Sequence, residues 1–454
     1  MSRMFKKILI ANRGEVALRI LAACHELGIT AVAVYSVADR NARHVRLADE
    51  TVCIGPAPPI DSYLSGPAII EAAVQTRADA VHPGYGFLSE SAALSDACTA
   101  RGVTFIGPPS AVLRLTGDKV GARVAMRRAG LSVLPGTETA IETTAQLHDA
   151  ARGIGYPLII KARAGGGGRG LRVVNEPDMI EPAWATAGRE AERAFGNGEL
   201  YLERYLVSPR HIEVQVLADD TGAAVLLGER ECSIQRRHQK ILEESPSLAL
   251  DDVARQELGR RVADAVRAVG YRNAGTFEFL QDERGQLHFL EVNARLQVEH
   301  PVTEMVTGVD IVKEQIRIAA GDGLSLPPVD MTPSGHAIEC RVNAESPLTL
   351  RPTPGVITAF SVPGGDGPGV RVDSAMEAGC EVTPHYDSLV AKVITHGRDR
   401  TEAIARMRRV LQTTIIEGIE TTIPLHLRIL DDPEFRAGHL STAFIERFIV
   451  EVGG

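Results

Sequence analysis

Short apolar runs alternate with helix-period patterns over roughly the first 130 residues. The predicted strands are 8–11, 30–35, 78–82 and 103–106, and the predicted helices are 15–27, 67–74 and 91–100. Strands that alternate with helices in this way are typical of a doubly wound parallel sheet with helices on both faces.

The pattern changes after residue 132. Two short predicted strands, 158–161 and 171–174, flank a glycine-rich loop, and a helix is predicted over 181–194, which indicates a small α+β lobe. Further along, period-two alternation at 211–216, 276–280 and 287–292 predicts a largely antiparallel sheet with one face solvated or lining a cleft. We therefore predict a chain of α/β and α+β class, divided into 1–132, 133–205 and 206–454.

Composition narrows the function classes. The 454 residues include 49 Lys and Arg against 58 Asp and Glu, so the formal charge of −9 argues against a nucleic-acid protein with a broad basic surface. The six cysteines form no C-x-x-C pair, which favours free thiols in a reducing cytoplasm. The N-terminal apolar run is too short for a signal peptide or a membrane span, so we expect a cytoplasmic protein.

The first strand–helix turn excludes one common class of α/β protein. It consists of Asn12, Arg13, Gly14 and Glu15 and lacks the G-x-G-x-x-G pattern that binds a dinucleotide. No acidic residue ends the second predicted strand to hold a ribose. An NAD-dependent oxidoreductase is therefore rejected.

The glycine-rich loop is the first motif that can carry chemistry. Residues 165–168 and Gly170 are glycines that follow Lys161 and Arg163. Successive glycines let backbone N–H groups turn toward an anion, and the lysine adds positive charge. Because the lysine precedes the glycines and a strand follows them, the motif predicts a flap over phosphates and differs from a P-loop. The alternative is a surface hairpin without function.

A second motif pairs carboxylates. If a hairpin turn centres on Arg284 and Gly285, Glu278 and Glu291 lie opposite each other on adjacent strands. Asn293 shares their face, so three oxygen ligands suited to Mg²⁺ converge. The alternative is a solvated strand face.

Polar side chains continue at period two beyond this hairpin, at Arg295, Gln297 and Glu299. A guanidinium can hold a small planar oxyanion through two hydrogen bonds, and a neighbouring glutamate can accept its proton. The basic stretch 229–240 is read either as a solvated loop after a strand or as cations that face a polyanion. Weaker signals are the loop 82–87, the turn 117–119 and the single Arg341.

In order along the chain, these motifs resemble the biotin carboxylase component of biotin-dependent carboxylases, within the ATP-grasp superfamily. The matching stretches are 10–15, 82–90, 117–119, 161–170, 235–240, 275–280, 291–304 and 386–388. The resemblance implies a doubly wound N-terminal domain, a small ATP-grasp lid and a largely antiparallel C-terminal domain. It also implies ATP- and bicarbonate-dependent carboxylation of biotin on a carrier protein.

The resemblance further assigns roles by position. Nucleotide would be held by Lys119, Lys161, the flap glycines including Gly167 and Gly168, the adenine-slot residues Glu203, Arg204, Tyr205 and Leu206, and His211 and His238. Mg²⁺ or Mn²⁺, as a pair of ions, would lie on Glu278, Glu291 and Asn293, the two glutamates also contacting ATP. Bicarbonate would bind Lys240, Arg295, Gln297 and the Val298 backbone, with Glu299 as its base. Biotin would bind Arg341 and Tyr85.

Expected partners follow from the same resemblance: a biotin carboxyl carrier protein, a carboxyltransferase and a second copy of the chain. Neither an Ala-Met-Lys-Met biotinylation motif nor a carboxyltransferase region is found in the sequence, so we expect biotin to arrive on a separate carrier. Acetyl-CoA for fatty acid synthesis, another acyl-CoA and pyruvate all stay open as final acceptors. Arg163 and Ala164 stand where many relatives carry Ser or Gly, which leaves the flexibility of the lid undecided.

Two other functions stay open. Another ATP-grasp ligase would share the flap and the carboxylate hairpin, but gives no reason for Arg295, Gln297 and Glu299. A nucleotide-binding regulatory subunit without turnover would have no need of Lys240 or Glu299.

Overall fold

The computed structural model describes residues 4–139, 141–163, 171–326, 333–363 and 367–449. The N-terminal part is a five-stranded parallel sheet of order β3-β2-β1-β4-β5 with helices packed against it. Its strands are β1 (Lys7–Ile10), β2 (Thr30–Ser36), β3 (Glu50–Gly55), β4 (Ala80–His82) and β5 (Thr104–Phe105). Its helices are α1 (Gly14–Glu26), α2 (Arg43–Leu47), α3 (Gly66–Thr76), α4 (Ala92–Ala100), α5 (Ser110–Gly117) and α6 (Lys119–Arg128).

The predicted parallel sheet is confirmed, with one strand more than the sequence pattern predicted. Strand β3 was missed because it lies at the edge of the sheet, where only Ile54 among its residues is buried. An edge strand carries a weak hydrophobic signal because its solvent side needs no apolar side chain.

A small lobe follows, as predicted. Three antiparallel strands, β6 (Leu158–Ala162), β7 (Arg172–Val174) and β8 (Leu200–Arg204), pack with α7 (Thr144–Ile154) and α8 (Ile180–Phe195). Helix α7 begins at a capping box in which Thr143 and Gln146 satisfy each other's backbone N–H groups. The predicted flap glycines, Gly167 and Gly168 among them, lie outside the described residues.

An eight-stranded sheet forms the centre of the molecule, and each of its pairings is antiparallel, as predicted. Its order is β13-β12-β9-β10-β11-β14-β19-β17. The strands are β9 (Arg210–Ala218), β10 (Ala224–Arg236), β11 (Gln239–Ser245), β12 (Asn273–Gln281), β13 (Leu287–Asn293), β14 (His336–Asn343), β17 (Val370–Asp373) and β19 (Leu389–Gly397).

The remaining elements cover this sheet and its ends. They are the helices α9 (Asp252–Ala268), α10 (His300–Thr307), α11 (Ile311–Ala320), α12 (Arg400–Thr413), α13 (Ile423–Asp431), α14 (Pro433–Ala437) and α15 (Glu446–Ile449), and the short strands β15 (Gly355–Val356), β16 (Ala359–Ser361), β18 (Glu381–Val382) and β20 (Ile415–Glu417). Leu9 of the parallel sheet and Phe277 of the large sheet belong to one hydrophobic core cluster, so the two sheets pack through shared apolar residues. Among the helices of the described residues, none is long and apolar enough to cross a membrane.

Candidate active site

One face of the large sheet carries an unbroken row of polar side chains. Glu291 lies opposite Glu278, Glu278 opposite Glu213, and Glu213 opposite Arg230 on four adjacent strands. Further across the sheet, Glu243 lies opposite Glu339, and Arg341 lies opposite Lys392. The alternation of strand side chains thus gathers charged groups from seven strands on one side.

The predicted pairing of Glu278 with Glu291 is confirmed, although the hairpin reaches it by an unpredicted route. Near the turn, Phe279 pairs with Phe289 and Gln281 with Leu287, a register that would not place the two glutamates opposite each other. A bulge at Leu290 adds one residue to β13 and restores the pairing.

Lys240 lies at the centre of the polar face. Its ammonium donates to Glu278 at 2.8 Å and to Glu299 at 2.6 Å, and it also pairs with Glu213. Glu299 accepts a second hydrogen bond, at 2.9 Å, from Arg341, and its side chain is fully buried. Burial alone would raise the pKa of Glu299, but Lys240 and Arg341 bring it below its usual value, so this carboxylate is ionised at neutral pH.

Glu278 is the most heavily bonded carboxylate of the site. Its Oε1 accepts from Asn293 at 2.7 Å and from Gln297 at 3.2 Å in addition to Lys240, and its Oε2 lies 2.9 Å from His211 Nε2. Lys240 and His211 overcome the effect of burial and lower the pKa of Glu278. Glu278 pairs in turn with His211, whose pKa is raised despite burial.

These groups satisfy the chemistry of a divalent-cation site. Glu278, Glu291 and Asn293 present oxygens from two paired strands, and Mg²⁺ prefers oxygen ligands. Glu291 is more than one-third exposed, and its nearest cation, Lys119, lies 3.8 Å away. One partly exposed carboxylate beside one buried carboxylate is a donor set that would suit a divalent cation.

Lys119 and Lys161, the two lysines predicted to bind phosphate, come from different elements but lie near each other. Lys119 opens α6, and Lys161 lies on β6, where its ammonium pairs with the buried carboxylate of Glu203. His238, in the turn between β10 and β11, has a pKa lowered first by burial and then by the charge of Lys161. Lys119, Lys161 and His238 come from three separate elements and lie close enough for their charges to interact.

The predicted adenine-slot residues lie at the end of β8 and just after it. Glu203 is buried and also pairs with Arg123, while Arg204 donates to the carbonyl of Tyr156 at 2.8 Å. Tyr205 and Leu206 follow the strand and are half-buried.

Arg295, Gln297 and Val298 lie in the segment between β13 and α10. The Arg295 guanidinium donates to Glu90 at 3.0 Å, Asn293 at 2.8 Å and Gln297 at 2.9 Å. The Val298 carbonyl accepts a hydrogen bond of 2.9 Å from Lys392. Arg295 and Gln297 therefore lie next to both the carboxylate pair and Glu299.

Tyr85 approaches the site from the parallel sheet, in the loop after β4. Its hydroxyl donates to Glu15, and the charge of Arg341 is close enough to act on it. Burial raises the pKa of the Tyr85 hydroxyl well above its usual value, so it stays protonated. The loop 82–87, a weak signal in the sequence, thus borders the same site as Arg341.

Residues 229–240 correct one prediction. The stretch is not a solvated loop after a strand, because most of it forms the end of β10 and its turn into β11. Arg230 is fully buried and binds Glu213, Gln215, Thr276 and Thr303. The charged residues of this stretch suggested a solvated surface because the partners of a buried cation such as Arg230 lie on other elements of the chain.

Several residues of the site were missed in the sequence, namely Glu15, Glu90, Glu213, Glu243 and Lys392. Only Glu213 had a readable signal, since it alternates with His211 and Gln215 on a strand of otherwise apolar residues. The others come from the helix α1, a loop and two strands that are widely separated along the chain, and only the folded structure brings them together.

Comparison with known proteins agrees with this arrangement. Residues 4–113 match the family of the biotin carboxylase N-terminal domain, 118–326 that of the carbamoyl-phosphate synthase L chain ATP-binding domain, and 339–447 that of the biotin carboxylase C-terminal domain. Biotin carboxylase of Haemophilus influenzae is 54% identical over 98% of this chain and 99% of its own. A pyruvate carboxylase subunit of Methanothermobacter thermautotrophicus is 49% identical over 98% and 90%.

Among solved structures, the biotin carboxylase domain dimer of Hydrogenobacter thermophilus 2-oxoglutarate carboxylase, in complex with MgADP, ADP and bicarbonate, superposes with a TM-score of 0.95. It shares 47% identity, and the match covers 98% of both chains. The fold and the matched domains define an ATP-dependent carboxylating ligase with an ATP-grasp domain. Within that class, the chain belongs to the biotin carboxylase family.

Proposed function

We propose that this enzyme forms carboxybiotin on a separate biotin carboxyl carrier protein by way of carboxyphosphate. The observation that carries the proposal is the buried chain Lys240–Glu299–Arg341, whose contacts of 2.6 and 2.9 Å adjoin Arg295 and the carboxylate pair. Bicarbonate, its base Glu299 and the charge-stabilising Arg341 would then lie beside the nucleotide site.

In this proposal bicarbonate lies on Arg295, Gln297 and the Val298 backbone, with Lys240 adding charge. Glu299 accepts the proton of bicarbonate, whose oxygen then attacks the γ-phosphate of ATP to give carboxyphosphate and ADP. Carboxyphosphate breaks down to CO₂ and phosphate beside biotin, and this phosphate accepts the proton of the ureido N–H. Arg341 then offsets the negative charge on the ureido oxygen while the ureido nitrogen attacks CO₂, and Tyr85 borders the ring.

ATP is assigned to Lys119, Lys161, His211, His238, Glu278, Glu291 and the 203–206 segment. Glu278, Glu291 and Asn293 would hold Mg²⁺ or Mn²⁺, which neutralises phosphate charge when bound. The MgADP bound in the Hydrogenobacter structure supports a nucleotide and Mg²⁺ as ligands here. We also keep the division into 1–132, 133–205 and 206–454 as a proposal.

We propose an acyl-CoA carboxylase as the complete complex, with acetyl-CoA as acceptor and fatty acid synthesis as the pathway. Pyruvate is the alternative acceptor. Because relatives are named as pyruvate and 2-oxoglutarate carboxylase subunits, a test of the acceptor has to include both keto acids. The dimer of the Hydrogenobacter domain supports a homodimer here.

Fixation of radiolabelled bicarbonate tests the proposed reaction. With ATP, Mg²⁺ and free biotin, we expect label in acid-labile carboxybiotin that avidin abolishes. Label formation independent of biotin, or none from active protein that hydrolyses ATP, would contradict it.

A further inference from the structure

The segment from Arg295 to Glu299 has a structural problem of its own. It lies between β13 and α10 and takes no part in a strand ladder, yet it carries three groups assigned to bicarbonate and its base. Within it, the Arg295 guanidinium donates to the Leu296 carbonyl at 3.1 Å and to Gln297 at 2.9 Å, and at its end the backbone N–H and the Nδ1 of His300 lie 3.4 and 2.8 Å from the Gln297 carbonyl. Groups that must be held to a fraction of an ångström need further support from rigid elements.

Lys392 supplies that support from β19, far along the chain. Its side chain is completely buried, and its ammonium donates to the Val298 carbonyl at 2.9 Å. Because Val298 lies between Gln297 and Glu299, fixing its carbonyl restricts both neighbours. A carbonyl oxygen held by an ammonium also cannot turn toward a bound anion and repel it.

The same ammonium also contacts Glu15, the partner of the biotin-facing Tyr85. Lys392 Nζ lies 3.1 Å from Glu15 Oε1, the oxygen that accepts the hydrogen bond from the Tyr85 hydroxyl. Asp373 is the next carboxylate, at 3.7 Å. A single buried cation therefore joins the bicarbonate segment to the Tyr85 loop of the parallel sheet.

We propose that Lys392 is a positioning residue that holds the bicarbonate segment through Val298 and the biotin-facing Tyr85 through Glu15. This inference rests on the proposed function, since it concerns the geometry of those two subsites. Lys392 touches neither reacting group, and its effect reaches each substrate through a different partner.

The test measures ADP release with Mg²⁺ and varies ATP, bicarbonate and free biotin separately. In Lys392→Met we expect the KM for bicarbonate and for biotin to rise at least about tenfold, while the KM for ATP stays within about twofold. In Glu15→Gln only the KM for biotin should rise. Lys7→Met is the matched control, because Lys7 also pairs with a glutamate and donates to a carbonyl, of Thr76, away from the site.

Loss of Lys392 removes the cation that pairs with the buried carboxylate of Glu15, so the double variant Lys392→Met/Glu15→Gln provides a second test without that unpaired carboxylate. The proposal would be overturned if the KM for bicarbonate is unchanged in folded Lys392→Met or in the folded double variant. An equal rise of the KM for ATP and the KM for bicarbonate would also overturn it. If neither folds, an unchanged KM for biotin in Glu15→Gln overturns the link to Tyr85. Wild-type turnover that ignores bicarbonate would instead refute the proposed function.

Discussion

At the scale of single residues, two completely buried glutamates on this face have pKa values shifted in opposite directions. Glu299 has two cationic partners and a lowered pKa, so it is ionised. Glu339 has no hydrogen-bond partner for either oxygen within the described residues, and burial raises its pKa well above the usual value. The surroundings thus lower the pKa of the same amino acid at one position and raise it at the other.

We predict that Glu299→Gln abolishes bicarbonate-dependent ADP release, with a loss of at least about a hundredfold in kcat, because an amide cannot accept the proton. ATP affinity, measured by nucleotide titration, should change little. Glu339→Gln is the matched control and should keep most activity, because neither Glu339 oxygen has a hydrogen-bond partner within the described residues that the amide would lose. Near-normal turnover of Glu299→Gln would remove Glu299 from its assigned role.

The sequence predicted site residues correctly where they lie at alternate positions of a single hairpin. Glu278, Glu291 and Asn293 follow from alternation and a turn, and the structure brings them together as predicted. Arg341 and Tyr85 received their roles only from the family resemblance, because a lone arginine or tyrosine has no local pattern that predicts a function. Lys392 and Glu243 depend on pairings between distant strands, which no local pattern contains.

At the scale of elements, Arg163 connects two elements that carry predicted phosphate lysines. Its guanidinium forms a two-point pair with Asp118, both bonds being 2.9 Å, at the residue just before Lys119. The pair ties the end of β6, which carries Lys161, to the start of α6, which carries Lys119. It therefore connects the two elements that supply the predicted phosphate lysines.

We predict that Arg163→Ser raises the KM for ATP about threefold to tenfold, because the two lysines lose their common tie. Stability should fall by less than about 1 kcal/mol, since the pair is partly exposed. Arg172→Ser, which breaks the pair with Glu190 in the same small lobe, is the control. If both variants show the same KM for ATP, the tie has no functional effect.

Another connection between elements is a buried triad. Glu244 of β11 accepts from Arg400 of α12 at 2.6 Å and lies 2.7 Å from His336 of β14. Burial opposes ionisation, but His336 and Arg400 lower the pKa of Glu244 to about 2. A lowered pKa in the folded state stabilises it above the unfolded pKa, near 4.5, and that stabilisation is lost as pH falls toward 2.

Glu244→Gln should therefore destabilise the protein by on the order of 3 kcal/mol at about pH 7, and by clearly less at about pH 3.5. Urea unfolding of both proteins at the two pH values measures the difference. A deficit of equal size at both would mean that packing, and not ionisation, sets the contribution of Glu244.

At the scale of the whole molecule, the order of a parallel sheet, a small lobe and an antiparallel sheet was predictable from hydrophobic periodicity. The edge strand β3 and the strand at residues 224–236 were not, the first because it is half-exposed and the second because buried charges disguise it. How the two sheets pack together depends on contacts between distant apolar residues such as Leu9 and Phe277.

We predict a dimer for the purified chain, with a mass twice the 48.7 kDa of one copy. Sedimentation equilibrium measures this directly and does not depend on shape. A mass of one copy across the accessible concentrations would contradict the assignment.

The central claim is that one site couples ATP cleavage to bicarbonate and biotin. ADP release from the purified protein with Mg²⁺ and ATP, with bicarbonate and free biotin varied independently, tests it most directly. We predict that full turnover requires both substrates. If bicarbonate has no effect on ADP release, the assignment of Arg295, Gln297 and Glu299 is wrong, and a different ATP-grasp ligase reaction takes its place.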